Sequence, residues 1–276
     1  MPLGPGMILK GKYRVVDRLG SGGMGMVWRG RDLDLNRDVA IKVMLNADDD
    51  LESFKRFQRE AQVAARLQHP GLTVVHDFGR DHDQFFIVME LLKGVDLKAL
   101  LREHPAGLPA GRVMKLALLA AEALSAAHEN GVVHRDIKPA NLFVLPDDRI
   151  KICDFGIAKL ADATSALTGS GVLVGTLAYM SPEQWKNEPA SARSDLYSLG
   201  CVLYAMVSGH PPFAEDQGLP ALMDQHVRVV PEPPRGAHAV PGALSDLVMR
   251  LLAKDPSARP ATAAELAAAL RDIGLS

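Results

Sequence analysis

The sequence predicts an α+β fold in two lobes: a β-rich first lobe with one key helix, and an α-rich second lobe. Two observations carry this. Residues 13–45 hold short apolar runs broken by glycines, with the length and composition of strands. After a Gly94-Val95-Asp96 break, apolar residues recur at helical spacing through most of the remaining chain. A length of 276 residues allows one large domain or two lobes sharing a cleft, and a 47% apolar share can fill a core, which excludes general disorder.

Taken in order, residues 1–12 open on Pro2-Leu3-Gly4-Pro5-Gly6 and read as a flexible lead or a cloning remnant. The first lobe is expected over 13–92 and the second over 93–276. Val15 and Val27 flank glycines, and Val39 to Val43 is a short apolar strand. Asp48-Asp49-Asp50 stands before a helix expected over 51–67, where carboxylates suit the positive end of the macrodipole. Two further strands are expected at 72–79 and 85–90. In the second lobe, 113–128 and 196–207 have apolar residues on more than one face, as buried helices do. Thr262-Ala263-Ala264-Glu265 is a capping-box pattern opening the last helix, and Pro231 to Pro234 is a loop. There are no internal repeats.

A net charge of −2 gives no overall field toward nucleic acid or a membrane surface, so neither is expected as a partner of this segment. No apolar run approaches the ~20 residues that span a bilayer. Met7-Ile8-Leu9 is too short for a signal-peptide core. Cys153 and Cys201 lie in apolar stretches and are expected as buried free thiols in a reducing compartment, hence a cytoplasmic location.

Four motifs carry chemistry. Gly20-Ser21-Gly22-Gly23-Met24-Gly25-Met26-Val27 fits G-x-G-x-x-G-x-V, whose glycines let backbone N–H groups approach phosphate unobstructed. A dinucleotide-binding turn shares that core pattern, but it needs a helix directly after the glycines, and Val27-Trp28-Arg29 reads as strand. Lys42 closes the apolar run Val39-Ala40-Ile41, where an ammonium needs an anionic partner. Glu60 on the following helix is the candidate, with a solvated Glu60 as the rival. Further on come His134-Arg135-Asp136-Ile137-Lys138-Pro139-Ala140-Asn141-Leu142 and Asp154-Phe155-Gly156.

This ordered set resembles the protein-kinase signature. Over roughly Tyr13 to Ile273 the chain is similar to Ser/Thr protein kinases of the eukaryotic-like type found in bacteria, actinobacteria among them. The resemblance implies ATP with Mg²⁺, Mn²⁺ being a substitute, and protein substrates. It implies Asp136 as the base for the substrate hydroxyl, Lys138 as a charge neutraliser, and Lys42, paired with Glu60, on the α- and β-phosphates. It makes Asn141 and Asp154 the metal ligands, a small oxygen set that suits Mg²⁺. The Glu90 carbonyl and Leu92 N–H would bind the adenine edge. Met89 would limit the pocket behind, and Leu19, Val27, Ala40 and Leu142 would sandwich the ring. Asp96 could bond the ribose or cap a helix.

By the same resemblance, Gly175 to Glu183 ends an activation loop, with Ser181-Pro182-Glu183 where the family usually has Ala-Pro-Glu. Thr176 would bridge to Asp136 and Lys138. Glu183 would pair with Arg259, and Asp195 would hold the catalytic loop's backbone. Thr168 and Ser170 are the expected autophosphorylation sites, ahead of Thr164 and Ser165, with Arg135, Lys159 or Arg56 receiving the phosphate. His134, Phe155, Val75 and Ala64 fall where the family stacks apolar side chains. Ala64 is small for its place, so either its helix is loosely held or a neighbour fills the space. A weak homodimer through the first lobe is expected. The rival functions are a catalytically dead scaffold, which would need Lys42, Asp136 or Asp154 replaced, and a small-molecule phosphotransferase, which Lys138 and the long 154–183 segment disfavour. A membrane-anchored receptor whose cytoplasmic part is this chain is a further expectation.

Overall fold

A computed structural model describes residues 3–22, 25–44, 51–81, 84–155, 177–213, 216 and 218–275. Asp48 to Asp50, Gly23, Met24 and the stretch 156–176 with Lys159, Thr164, Ser165, Thr168, Ser170 and Thr176 lie outside the described residues, as do the side chains of Ser21, Arg56 and Glu60. Two compact units emerge: described residues 3–68 and 73–93 form the first, and 69–72, 94–155 and 177–275 form the second.

The first unit is built on a six-stranded antiparallel sheet in the order β1-β2-β3-β4-β6-β5. The strands are β1 (Ile8–Leu9), β2 (Tyr13–Gly22), β3 (Gly25–Asp32), β4 (Arg37–Met44), β5 (Val75–Asp81) and β6 (Gln84–Glu90). Val27 pairs with Lys42, Lys42 with Ile87, and Ala40 with Met89, so these five residues share one face. The alternate residues Trp28, Val39, Ile41, Val43, Phe86 and Val88 form a core with Leu3, Leu9, Tyr13 and Val15. A one-residue slip would exchange the two faces, so this core pins the register that brings Val27 and Lys42 together.

The flexible lead expected over residues 1–12 fails from Leu3 onward. Leu3 and Leu9 are 5% and 1% exposed, and Ile8 and Leu9 pair with Arg14 and Tyr13. Burying each leucine contributes about 1.5–3 kcal/mol, which holds the segment on the sheet. The strand expected over 72–79 starts only at Val75. Leu72 instead bridges to Ile152 in the second unit, beyond a turn in which His69 Nδ1 accepts from the Gly71 N–H at 3.0 Å.

Helix α1 (Leu51–Arg66) buries Ala61 and Ala64. Ala64 packs with Phe85 and Ile87, flanked by Met44, Val75 and Phe78. These large neighbours support the reading in which the space beside the small residue is filled.

The second unit carries a small sheet, β7 (Val95–Asp96), β8 (Leu142–Val144) and β9 (Ile150–Ile152), and helices α2 (Leu97–Glu103), α3 (Ala110–Glu129), α4 (Pro182–Trp185), α5 (Ala192–Ser208), α6 (Leu219–Arg228), α7 (Gly242–Leu251) and α8 (Ala263–Leu275). Helix α5 is buried along its whole length from Ser194 to Ser208, the floor on which the rest is assembled. Gly200 permits this: a Cβ there would stand 2.7 Å from Leu251 Cβ on α7. Thr262 Oγ1 accepts from the Glu265 N–H at 3.1 Å, and Glu265 reaches back to the Ala261 N–H at 2.8 Å, which starts α8. Cys201 is buried, but Cys153 is only half-buried, a correction to the expectation for both thiols. Among the described residues no helix is long and apolar enough to cross a membrane.

Candidate active site

In the first unit the glycine-rich run is the tip of the β2–β3 hairpin, with Gly20 paired to Val27 and Gly22 to Gly25. A strand follows the glycines, so the dinucleotide-binding alternative lacks its helix. Gly25 has φ +152°, and a Cβ there would stand 2.1 Å from the Val43 carbonyl oxygen, so only glycine allows this approach. Lys42 lies across the ladder from Val27 and is 4% exposed. Ala40 is buried on the same face, Val27 and Met89 are half-buried, and Leu19 is exposed. Glu90 is tied to Val74, the residue just before β5. Its N–H donates to the Val74 carbonyl at 3.0 Å, and its Oε1 accepts from the Val74 N–H at 2.8 Å. Leu92 is half-buried in the segment that follows.

In the second unit the loop 134–141 is held from beneath by Asp195 on α5. Its Oδ2 accepts from the His134 N–H at 2.8 Å and its Oδ1 from the Arg135 N–H at 2.7 Å. His128 Nε2, at the end of α3, lies 2.8 Å from the same Oδ2. A carboxylate gripping two successive amides can hold an unfavourable backbone, and Arg135 has φ +66°. The ring of His134 then meets Phe155 edge-on at 4.7 Å between centroids, and its Nε2 is 2.8 Å from the Cys153 carbonyl.

Asp136 is set by four hydrogen bonds to three residues. Its N–H donates to His134 Nδ1 at 3.2 Å, Lys138 Nζ donates to its Oδ2 at 2.9 Å, and Asn141 Nδ2 donates to its carbonyl at 2.8 Å and to Oδ2 at 3.2 Å. These bonds fix the amide of Asn141 with nitrogen toward Asp136, leaving oxygen as its ligand end. Cys153 N–H donates to the Asn141 carbonyl at 2.9 Å, so the β8–β9 ladder brings Asn141 beside the residue preceding Asp154. Asp154 is itself left-handed at φ +63°. One amide oxygen and one carboxylate are hard ligands in the small number that Mg²⁺ accepts from protein, so this pair fits that ion.

Asp96 caps α2: its Oδ1 accepts from the Ala99 N–H at 2.7 Å. Leu142, expected against the adenine, is 1% exposed. Arg259 is buried, and all five guanidinium donors are used. Nη1 and Nη2 bind Glu183 Oε1 and Oε2 at 2.7 and 3.0 Å, and the rest bind the carbonyls of Ala253, Arg193 and Lys254. Burial alone would raise the Glu183 pKa, but Arg259 and the Ser194 hydroxyl reverse this and hold it below the usual value.

Three positions escaped the sequence reading. Gln184 completes a capping box with Ser181 and donates from Nε2 to the Arg135 carbonyl at 2.9 Å, tying α4 to the catalytic loop. The spacing Ser181-x-x-Gln184 carried that signal. His128 and His226 had none, because both act through contacts distant in sequence.

The family model described as a protein kinase domain matches residues 13–269. The serine/threonine-protein kinase PknB of Mycolicibacterium smegmatis is 43% identical over 270 residues, spanning 95% of this chain and 43% of the relative. Its namesake from Mycobacterium tuberculosis is 42% identical over 270 residues, with the same coverage of 95% and 43%. The serine/threonine-protein kinase pkn3 of Myxococcus xanthus is 42% identical over 275 residues, spanning 95% of this chain and 50% of the relative. The chain thus spans half or less of the length of these curated relatives.

Proposed function

The chain belongs to the protein kinase family, and on that premise we propose that it transfers the γ-phosphate of ATP to serine and threonine hydroxyls of proteins. The observation that carries this is the Asp136–Lys138–Asn141 triangle locked by Asp195. Among the described residues both side-chain contacts to Asp136 fall on Oδ2, so Oδ1 is the oxygen that would take the acceptor hydroxyl. As the acceptor oxygen bonds to phosphorus and the bond to the ADP oxygen breaks, Asp136 takes the hydroxyl proton and ADP leaves with the electron pair. Lys138 offsets charge on the group in transit. Bound Mg²⁺ would neutralise charge on the phosphates, held by Asp154 and the Asn141 oxygen. Lys42 and the glycine run Gly20 to Gly25, Ser21 included, hold the phosphates. Glu90, Leu92, Met89, Leu19, Val27, Ala40 and Leu142 hold the base, and Asp96 bonds the ribose with whatever its cap leaves over. Acceptor proteins and ATP at working concentration make this a cytoplasmic activity.

The metal assignment predicts that Asp154→Asn removes the gain in ATP affinity on adding Mg²⁺ while metal-free binding survives. Titration calorimetry with and without Mg²⁺ decides, and an equal gain in both proteins removes Asp154 from the metal site.

We further propose autophosphorylation at Thr168, with Ser170 second, in trans within a weak homodimer through the first unit. Its support is the cation Arg135 beside the base, which favours an incoming anion, and the exposed Leu33 and Leu35 on the first unit. Preincubation with Mg·ATP should raise activity, faster per molecule at higher enzyme concentration, and the Thr168→Ala/Ser170→Ala double variant should not respond. Full activation of that variant, or a rate independent of concentration, would remove the switch or the dimer respectively.

A further inference from the structure

The peptide that joins Arg135 to Asp136 is gripped at both of its polar ends. Its N–H, that of Asp136, donates to His134 Nδ1 at 3.2 Å, and its carbonyl, that of Arg135, accepts from Gln184 Nε2 at 2.9 Å. His134 is itself fixed, with its ring edge-on to Phe155 and its Nε2 2.8 Å from the Cys153 carbonyl. Arg135 has the left-handed φ of +66°, a conformation that persists only where the surroundings impose it. On the N–H side the Asp195 carboxylate imposes it, taking the amides of His134 and Arg135. On the carbonyl side Gln184 does.

The Gln184 amide stands in one orientation. The Arg135 carbonyl can only accept, so it faces the nitrogen. The Ser181 N–H can only donate, and it does so to Gln184 Oε1 at 3.2 Å, with the Ser181 hydroxyl donating to the same oxygen at 3.0 Å. The mount beneath is rigid. Ser181, Pro182 and Trp185 are buried, and the neighbouring Glu183 is held by both terminal nitrogens of Arg259 and by the Ser194 hydroxyl at 2.7 Å. Lys138 and Asn141 fix Asp136 Oδ2 from within the loop and travel with it. Asp195 and Gln184 instead reach the loop from helices outside it, and Gln184 holds the plane from which the Asp136 side chain departs. A turn of that plane would swing Oδ1 off the acceptor hydroxyl, and small misplacements of a reacting group cost rate. We propose that Gln184 is a positioning residue for Asp136: its Nε2–H bond to the Arg135 carbonyl sets the peptide plane that aims Oδ1 at the acceptor hydroxyl. The inference rests on the phosphotransfer reading above, and it makes Gln184 a determinant of the transfer step, not of affinity for ATP or acceptor.

Three variants separate the two ends of the amide. Gln184→Glu keeps an acceptor for Ser181 but has no proton for Arg135. Gln184→Lys keeps a donor for Arg135 but no acceptor for Ser181, and Gln184→Met keeps neither. In single turnovers at saturating Mg·ATP and casein, Gln184→Met and Gln184→Glu should transfer about three- to tenfold more slowly, the range of one neutral hydrogen bond. The KM values for ATP and casein should stay within about twofold. Gln184→Lys should recover most of the rate that Gln184→Met loses. Because Gln184 acts through Asp136, adding Gln184→Met to Asp136→Asn should slow the residual transfer by less than about twofold. Normal transfer in Gln184→Glu with slow transfer in Gln184→Lys would make the residue a helix cap only and overturn the proposal. So would a rise in either KM as large as the fall in rate, or full additivity with Asp136→Asn. Amide exchange at Asp136, read by NMR, is independent of catalysis: it should quicken in Gln184→Met and Gln184→Glu and return toward the wild-type rate in Gln184→Lys. If the wild-type protein phosphorylates nothing, the kinase reading fails, whereas unchanged exchange in Gln184→Met overturns the tie by itself.

Discussion

Asp136→Asn should lower phosphoryl transfer by about 10²–10⁴-fold while leaving folding and ATP binding nearly intact. The substituted amide has the size of the carboxylate and an oxygen that can still accept from Lys138 and Asn141, so the loop keeps its frame. Asp195 continues to hold the amides of residues 134 and 135. What disappears is the proton acceptor for the hydroxyl. A single-turnover assay at saturating Mg·ATP, with thermal unfolding and nucleotide titration on the same preparation, separates these effects. Wild-type transfer in the variant would remove Asp136 as the base.

The largest stability effect is expected at Arg259. Arg259→Ala leaves the Glu183 carboxylate, 7% exposed in its side chain, without its cation, and opens three carbonyls to an emptied space. Breaking a buried pair from one side costs about 3–5 kcal/mol, a large part of a domain's stability. Urea unfolding of the two proteins measures it. The same pair gives a pH signature. Glu183 titrates lower folded than unfolded, so its stabilisation is complete above the ordinary glutamate value and is lost as pH falls through the lower, folded one. In Arg259→Ala the largest lowering cause is gone while burial and the Ser194 bond remain, so Glu183 should titrate higher when folded and its contribution to stability above the ordinary glutamate value should shrink. A variant as stable as wild type would mean that the pair is neutral in this fold.

The arrangement of the candidate site was legible in the sequence because it is local. The HRDIKPANL run puts the candidate base, a cation and an amide on one loop, and the structure adds the bonds between them. The glycine run and Lys42 were legible because a strand period of two sets which residues share a face. The misses share another cause. Leu3 and Leu9 look like a loose lead until a strand is there to receive them. Leu72 reads as strand by composition, but its partner is Ile152, far along the chain. Ala64 looks like a gap because Phe78 and Phe85, which cover it, come from other strands. His226 looks like any helix residue until Tyr197, Trp185 and Phe213 converge on it.

The central claim is tested most directly by incubating the protein with Mg·ATP and casein and mapping every phosphorylated residue by mass spectrometry, with Asp136→Asn alongside. The account predicts phosphate on serine and threonine of casein and on Thr168 and Ser170 of the chain itself, all but absent in the variant. Phosphate appearing equally in wild type and Asp136→Asn, or on no serine or threonine in either, would contradict it.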